Sequence, residues 1–174
     1  VRCDPWHAAG RVVLMGDACH AIAPFYAMGM NMGFEDVTIF TGLLDRHGDD
    51  WAAAVAAFGA ARKPDTDAIA ALSLRNFNAI GQSTGQDFQL KWEIERRIWE
   101  LAPERWRPLY AMIAFSHLPL SQVVAAHERQ EQIVATLIER HGVDLPDHPG
   151  LPALLASLLP PEPAAPTATA SGLT

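Results

Sequence analysis

Gly10-Arg11-Val12-Val13-Leu14-Met15-Gly16-Asp17-Ala18-Cys19-His20-Ala21-Ile22-Ala23-Pro24, carried on by Gly29-Met30-Asn31-Met32-Gly33-Phe34-Glu35-Asp36, is the stretch from which the fold is read. Val12 to Met15 form a short apolar run bounded by glycines, the pattern of a buried strand. Gly16 breaks that run and leaves Asp17 as a single carboxylate at its carboxyl end. A loop punctuated by Pro24 and Gly29 follows, and the pattern turns helical near Asn31. A carboxylate in that position can accept hydrogen bonds from sugar hydroxyls. The blander alternative is an Asp that serves its own turn or caps a helix. Gly29, Met30 and Asn31 open the helix, where unpaired amides and the positive dipole end favour negative charge.

Working outward, Phe34, Val37, Ile39, Phe40, Leu43 and Leu44 recur at helical spacing and stop near His47-Gly48. Asp49-Asp50 then caps a helix over 51–61, with Val55 and Phe58 on its apolar side. Pro64 stands where a first helical turn tolerates proline, and 68–80 continues as helix. A further helix over 87–101 carries Phe88, Leu90, Trp92, Ile94, Ile98 and Trp99, a face broad enough to pack on more than one side. Residues 108–119 read as irregular. A long helix over 121–141 ends at Gly142, and a short one covers 152–158. From Pro160 onward Pro, Ala, Thr and Ser dominate, so the tail is expected to be disordered. There is one strand and no internal repeat.

Composition narrows the function. At 49% hydrophobic and 19% charged the 174 residues are those of a globular chain. A net charge of −7 with scattered basic residues argues against nucleic acid, whose phosphates require clustered Lys and Arg. Two cysteines, Cys3 and Cys19, make neither a disulfide framework nor a metal knuckle. The longest apolar stretch near the end, Leu151 to Leu159, is interrupted by Pro152 and falls well short of the ~20 residues a membrane span needs. No membrane association is expected, and the expected location is cytoplasmic.

The opening stretch resembles the second flavin-contacting motif of FAD-dependent aromatic hydroxylases, in which such an Asp binds the ribityl hydroxyls. Three more segments resemble the kynurenine 3-monooxygenases among them: Cys3-Asp4-Pro5-Trp6-His7, then Lys63-Pro64-Asp65-Thr66-Asp67-Ala68-Ile69-Ala70 with Asn76-Phe77, then Pro108-Leu109-Tyr110-Ala111-Met112-Ile113-Ala114-Phe115-Ser116-His117-Leu118-Pro119. The resemblance covers about Arg2 to Leu145. It implies an α+β fragment, mostly α-helical, forming the C-terminal part of an FAD/NAD(P)-binding, glutathione-reductase-like hydroxylase fold. Residues 1–47 would belong to the FAD-binding domain, 48–145 would complete the flavin and substrate pocket, and 146–174 would hold a short helix and the tail. The family's G-x-G-x-x-G pyrophosphate turn is absent from these residues. We therefore expect the amino-terminal half to be supplied elsewhere, in the same polypeptide or a separate chain, and these residues by themselves to be poorly soluble and not to retain FAD. A homo-oligomer is left open.

By the same resemblance Gly16, Asp17, Ala18, Pro24, Gly29, Met30 and Asn31 contact FAD, with the opening of the second helix at the pyrimidine edge of the flavin. Phe25, Met28, Asn76, Ile80 and Tyr110 line the substrate pocket. Each pocket residue could instead be simple core. Flavin hydroxylation needs few acid–base groups, so no catalytic side chain is assigned; the protein positions the ring and excludes water. The implied reaction is hydroxylation of a tryptophan-derived aromatic amine such as L-kynurenine, with FAD as cofactor and NADPH and O2 as co-substrates. Two alternatives stand beside it: a hydroxylase of another aromatic, and a non-catalytic helical interaction module derived from such a flavoprotein. The chain departs from the family pattern at Ala27-Met28, where Gly-Gln is usual, and at Ala79, where Glu is usual; both changes remove polar groups and make a ring-substituted kynurenine, or another tryptophan-derived aromatic, a candidate beside L-kynurenine. Cys19 and His20 are sequence neighbours whose side chains are expected to diverge, so they make no nucleophile–base pair, and no metal is assigned. Trp92, Trp99 and Trp106, at seven-residue spacing, read as packing core, and 93–97 as a solvated charged face.

Overall fold

A computed structural model describes residues 1–80 and 85–159, and these are mostly helical. The chain begins with a two-stranded antiparallel hairpin, β1 (His7–Ala8) and β2 (Val12–Val13), in which His7 faces Val13 and Ala8 faces Val12. Ala9 and Gly10 both have positive φ, and Arg11 N–H closes the turn on the Ala8 carbonyl, the geometry that matches strand twist in a tight hairpin. Gly10 is required twice over, because a Cβ there would come within 2.7 Å of the Ala52 Cβ.

Two expectations are corrected at this point. There are two strands, not one, and β2 stops at Val13 rather than running to Met15. Nor is the run buried: Val12 and Leu14 point outward, while Val13 and Met15 pack inward against Trp6, Cys19, Leu43, Ala54 and Phe58. With pairing on one side only, alternate residues of an apolar run remain at the surface.

Helix α1 (Asp17–His20) is a single turn started by Gly16, whose carbonyl accepts from the Cys19 and His20 amides. Helix α2 (Gly29–His47) ends on Gly48 at positive φ. Its apolar pattern divides: Ile39, Phe40, Leu43 and Leu44 join the core, whereas Phe34 and Val37 are exposed. Helix α3 (Trp51–Ile80) starts as the sequence indicates, with the Asp50 carboxylate accepting from the Ala53 amide at 3.0 Å. It does not stop before Pro64, as expected, but runs straight through it. Proline removes one backbone donor. Flanking side chains hold the segment: Arg62 is bonded to Asp36, Lys63 to Asp67, and Asp65 accepts from the Ser121 amide at 2.9 Å and from its hydroxyl.

Helix α4 (Gly85–Leu101) is followed by α5 (Leu109–Ala114), inside the segment read as irregular; Met112 and Ile113 are buried, and that burial supports a helix too short to stand alone. Helix α6 (Leu120–His141), a 3-10 helix over Gly142–Asp147 and α7 (Leu151–Leu158) complete the described chain. The 160–174 tail and the Phe88 side chain lie outside the described residues.

The chain divides into two compact units. Unit 1 comprises Val1–Gly85 and Leu109–Arg129, and unit 2 Gln86–Pro108 and Gln130–Thr174. Unit 1 has the hairpin core just described and a second cluster in which Met32 of α2 meets Ile69 and Leu72 of α3, Met112 and Ile113 of α5, and Val123 of α6. Unit 2 closes on Ile94, Ile98, Trp106, Val134, Leu137, Leu145, Leu151 and Leu155. Of the three tryptophans at seven-residue spacing only Trp106 is core; Trp92 is 58% exposed and Trp99 47%. Trp92 and Trp99 share one face of α4, turned away from the buried Ile94 and Ile98, and Trp106 lies beyond the end of the helix. The 93–97 face is charged, with Arg96 between Glu93 and Glu100, yet Ile94 within it is fully buried. Among the described residues no helix is long and apolar enough to cross a membrane.

Candidate functional site

The loop from Gly16 to Asn31 has an outer and an inner layer. Asp17, Ala18, Pro24, Met30 and Asn31 are exposed, and Gly16 and Gly29 half-buried. Gly16 adopts φ 59°, a conformation that suits glycine and turns the chain so that Asp17 faces out. Asp17 Oδ1 lies 3.9 Å from where a Cβ on Gly29 would be, so the carboxylate and the amino-terminal end of α2 share one small space. No side chain caps that end, which leaves its first amides directed at whatever occupies the space. A hydroxyl donor fits the carboxylate and an electron-rich or anionic group fits the helix end. That donor set suits the ribityl and ring-edge groups of a flavin.

The inner layer is buried and charged. Asp36 of α2 is fully buried and accepts three hydrogen bonds: from Gly16 N–H at 2.9 Å, His20 Nε2 at 2.6 Å and Arg62 Nε at 2.8 Å. Burial alone would push its pKa up, but the His20, Arg62 and Gly16 donors outweigh that and hold the carboxyl below its ordinary value. Arg62 Nη2 also lies 2.8 Å from Glu35 Oε2, an ion pair without hydrogen-bond alignment. Sequence reasoning missed Asp36 and Arg62 as members of the site. The available signal was a Glu-Asp pair followed by an Arg on the next helix, but apolar periodicity alone does not show that the two meet.

Cys19 and His20 do not diverge as expected. Both tuck inward from the single turn of α1, and their ligand atoms lie with that of Asp36 within 4.8 Å of one another. The chemistry is nonetheless poor for a metal. Burial, then the Asp36 charge, pushes the Cys19 thiol up to about 12, its Sγ donates to the Gly16 carbonyl, and the Asp36 oxygens are already filled.

Of the residues read as substrate-lining, Phe25 meets Tyr26 edge-on at 5.3 Å, and Asn76 Nδ2 donates to the Tyr26 hydroxyl, so these three form one group. Met28 is half-buried against the Met32 cluster. Tyr110 is 61% exposed and meets Phe115 edge-on at 6.3 Å. The Ile80 side chain lies outside the described residues. Two grooves lie away from this loop, about 370 Å³ between α3 and α6 and about 420 Å³ between the amino-terminal segment and α3.

Residues 2–54 match the family model described as FAD binding domain, which places this segment among FAD-binding-domain sequences. The relatives are narrower in kind. The chain is 41% identical to the kynurenine 3-monooxygenase of Flavobacterium psychrophilum over 145 residues, 83% of this chain and 32% of that protein. It is 42% identical to the one from Salinispora arenicola over 159 residues, 91% of this chain and 34% of that protein, and 34% identical to the one from Caenorhabditis elegans over 139 residues, 79% and 30%. Over most of its length the chain is similar in sequence to kynurenine 3-monooxygenases, and it spans about a third of the length of the curated relatives it matches.

Proposed function

We propose that these residues form the flavin-contacting and part of the substrate-contacting portion of an FAD-dependent monooxygenase that hydroxylates a tryptophan-derived aromatic amine, L-kynurenine or a close analogue, with NADPH and O2. The observation that carries this reading is the Asp17 carboxylate set against the uncapped start of α2. FAD, when bound, supplies the oxygen-activating redox chemistry. Asp17 accepts from ribityl hydroxyls, with Gly16, Ala18 and Pro24 shaping the loop around it. The amides of Gly29, Met30 and Asn31 face the ring edge and favour negative charge there. Phe25 packs on the substrate ring, and Met28, Asn76, Ile80 and Tyr110 belong to the surrounding wall.

A specific observation favours a substrate other than unsubstituted L-kynurenine. The Asn76 amide is engaged by Tyr26, and Met28 and Ala79 stand where the family pattern has polar residues. A wall with fewer polar groups discriminates less for the substrate's matching polar group and tolerates added apolar volume.

The test is to purify the protein in the complete form the cell makes, measure FAD per chain, and follow substrate-stimulated NADPH oxidation together with hydroxylated product. Stoichiometric FAD and coupled turnover of a kynurenine is the expected result. A complete protein that binds no FAD leaves the interaction-module reading in its place. If L-kynurenine is turned over with far higher kcat/KM than every ring-substituted analogue, the preference for a substituted substrate is wrong.

A further inference from the structure

We infer that Asp36, held by Arg62 and His20, is the positioning residue that fixes the Gly16–Asp17 turn for flavin binding. The inference rests on the cofactor reading above. Asp36 takes its three donors from three elements: the Gly16 backbone ahead of α1, His20 at the end of α1 and Arg62 on α3. With the Gly16 amide tied down, the next residue, Asp17, is turned outward, toward the start of α2. Asp36 and Gly29 lie on the same helix. One rigid element therefore carries both the uncapped amides and the acceptor that orients the carboxylate beside them.

Arg62 gives the arrangement its charge balance. A lone buried carboxylate so near Asp17 would oppose negative charge at the start of α2. The guanidinium meets Asp36 through Nε and Glu35 through Nη2, so two adjacent acids on α2 share one cation. His20 Nε2 supplies the third donor from beneath, with its ring 5.3 Å from that of Trp6. An ion pair retained only for stability could be exchanged for apolar side chains of like volume with little loss. A positioning group could not, because the Gly16 amide would lose its acceptor.

That difference is measurable in the flavin-loaded, complete protein with two paired variants. Asp36→Asn/Arg62→Gln keeps a side-chain oxygen for the Gly16 amide and replaces the charges with an amide pair. Asp36→Leu/Arg62→Met fills the space and offers no acceptor. Their melting temperatures without FAD report the fold; FAD dissociation constants and the visible circular dichroism of bound flavin report positioning. We expect the amide pair to hold FAD within about threefold of the wild type, and the apolar pair to bind it at least tenfold more weakly with an altered flavin spectrum. Equal affinity and identical spectra for the two pairs would overturn the inference. Should the apolar pair not fold, Asp36→Ala/Arg62→Gln decides: it differs from the amide pair only in lacking the acceptor for the Gly16 amide and buries no unpaired charge, so FAD should bind at least tenfold more weakly than in the amide pair, whereas affinity equal to the amide pair's overturns the proposal. A wild-type protein without FAD would overturn the cofactor reading itself, whereas a wild type that holds FAD beside indifferent variants sinks this inference alone.

Discussion

Unit 2 buries Ile94, Ile98, Trp106, Val134, Leu137, Leu145, Leu151, Leu155 and Leu159, all apolar, while unit 1 encloses His20, Asp36, Arg62, Thr66, Ser73 and His127 beside its apolar clusters. Every buried polar or charged residue among those described lies in unit 1. A buried polar group costs stability unless it is bonded, and a buried charge costs more. Such groups mark where something other than packing is being specified, and three of them, His20, Asp36 and Arg62, meet behind the Asp17 turn. Unit 2 obeys the simpler rule of a core chosen for volume and shape.

The contrast is broken most forcefully at Asp36. Asp36→Ala leaves the Arg62 charge buried without its main partner and should cost about 3–5 kcal/mol, read by urea unfolding at pH 7. Because the native carboxyl sits below its ordinary value, the stability it supplies is present at neutral pH and lost as pH falls through the acid range. The acid limb of the stability curve should therefore flatten in the variant. Leu137→Ala in unit 2 should cost about 2–5 kcal/mol through the cavity it leaves, yet leave flavin affinity in the complete protein unchanged. A large affinity change would show that the two units do not divide the labour as their cores do.

Asp17→Ala reverses that pairing. The side chain is exposed, so melting should hardly move, while FAD affinity falls roughly ten- to a hundredfold through loss of a charge-assisted acceptor. Ala27 has φ 53°, a left-handed conformation that costs an L-residue about 1–2 kcal/mol. Ala27→Gly relieves that strain but gives the unfolded chain more freedom, so the net gain should be about 0.5 kcal/mol. The smallest effect belongs to Glu95 in unit 2, where burial, and then the Glu131 charge, push the carboxyl above its ordinary value. Its contribution has the opposite sign to that of Asp36: it favours the folded state at low pH and opposes it once pH has risen through the raised value. Glu95→Gln should stabilise slightly at pH 7 and remove that gain on acidification, measured as melting temperature against pH.

Much of this was legible from local signals. The Gly16 break, the Asp50 cap, the start of α2 near Asn31 and the end of α6 at Gly142 each follow from one or two residues with a strong conformational preference. What escaped depended on partners distant in sequence. Pro64 reads as a boundary, and only the side chains that bind its neighbours keep α3 continuous. The 109–114 helix is too short to be stable by propensity, and its burial against α3 and α6 is invisible in the segment itself. Val12 and Leu14 read as core because a run of apolar residues carries no statement of how many faces are covered. In the candidate site, Gly16 and Asp17 draw attention because they interrupt an apolar run, whereas Asp36 and Arg62 interrupt nothing and declare themselves only as a pair.

Pro64 also has a consequence in time. The Ala60 carbonyl has no proline amide to accept from, so α3 contains one missing rung at a point where the helix is otherwise gripped by Asp36, Asp67 and Ser121. Backbone amides on either side of that rung are expected to open through separate local events. Amide-to-deuterium exchange along α3 should accordingly fall into two groups, 51–63 and 65–80, with distinct protection.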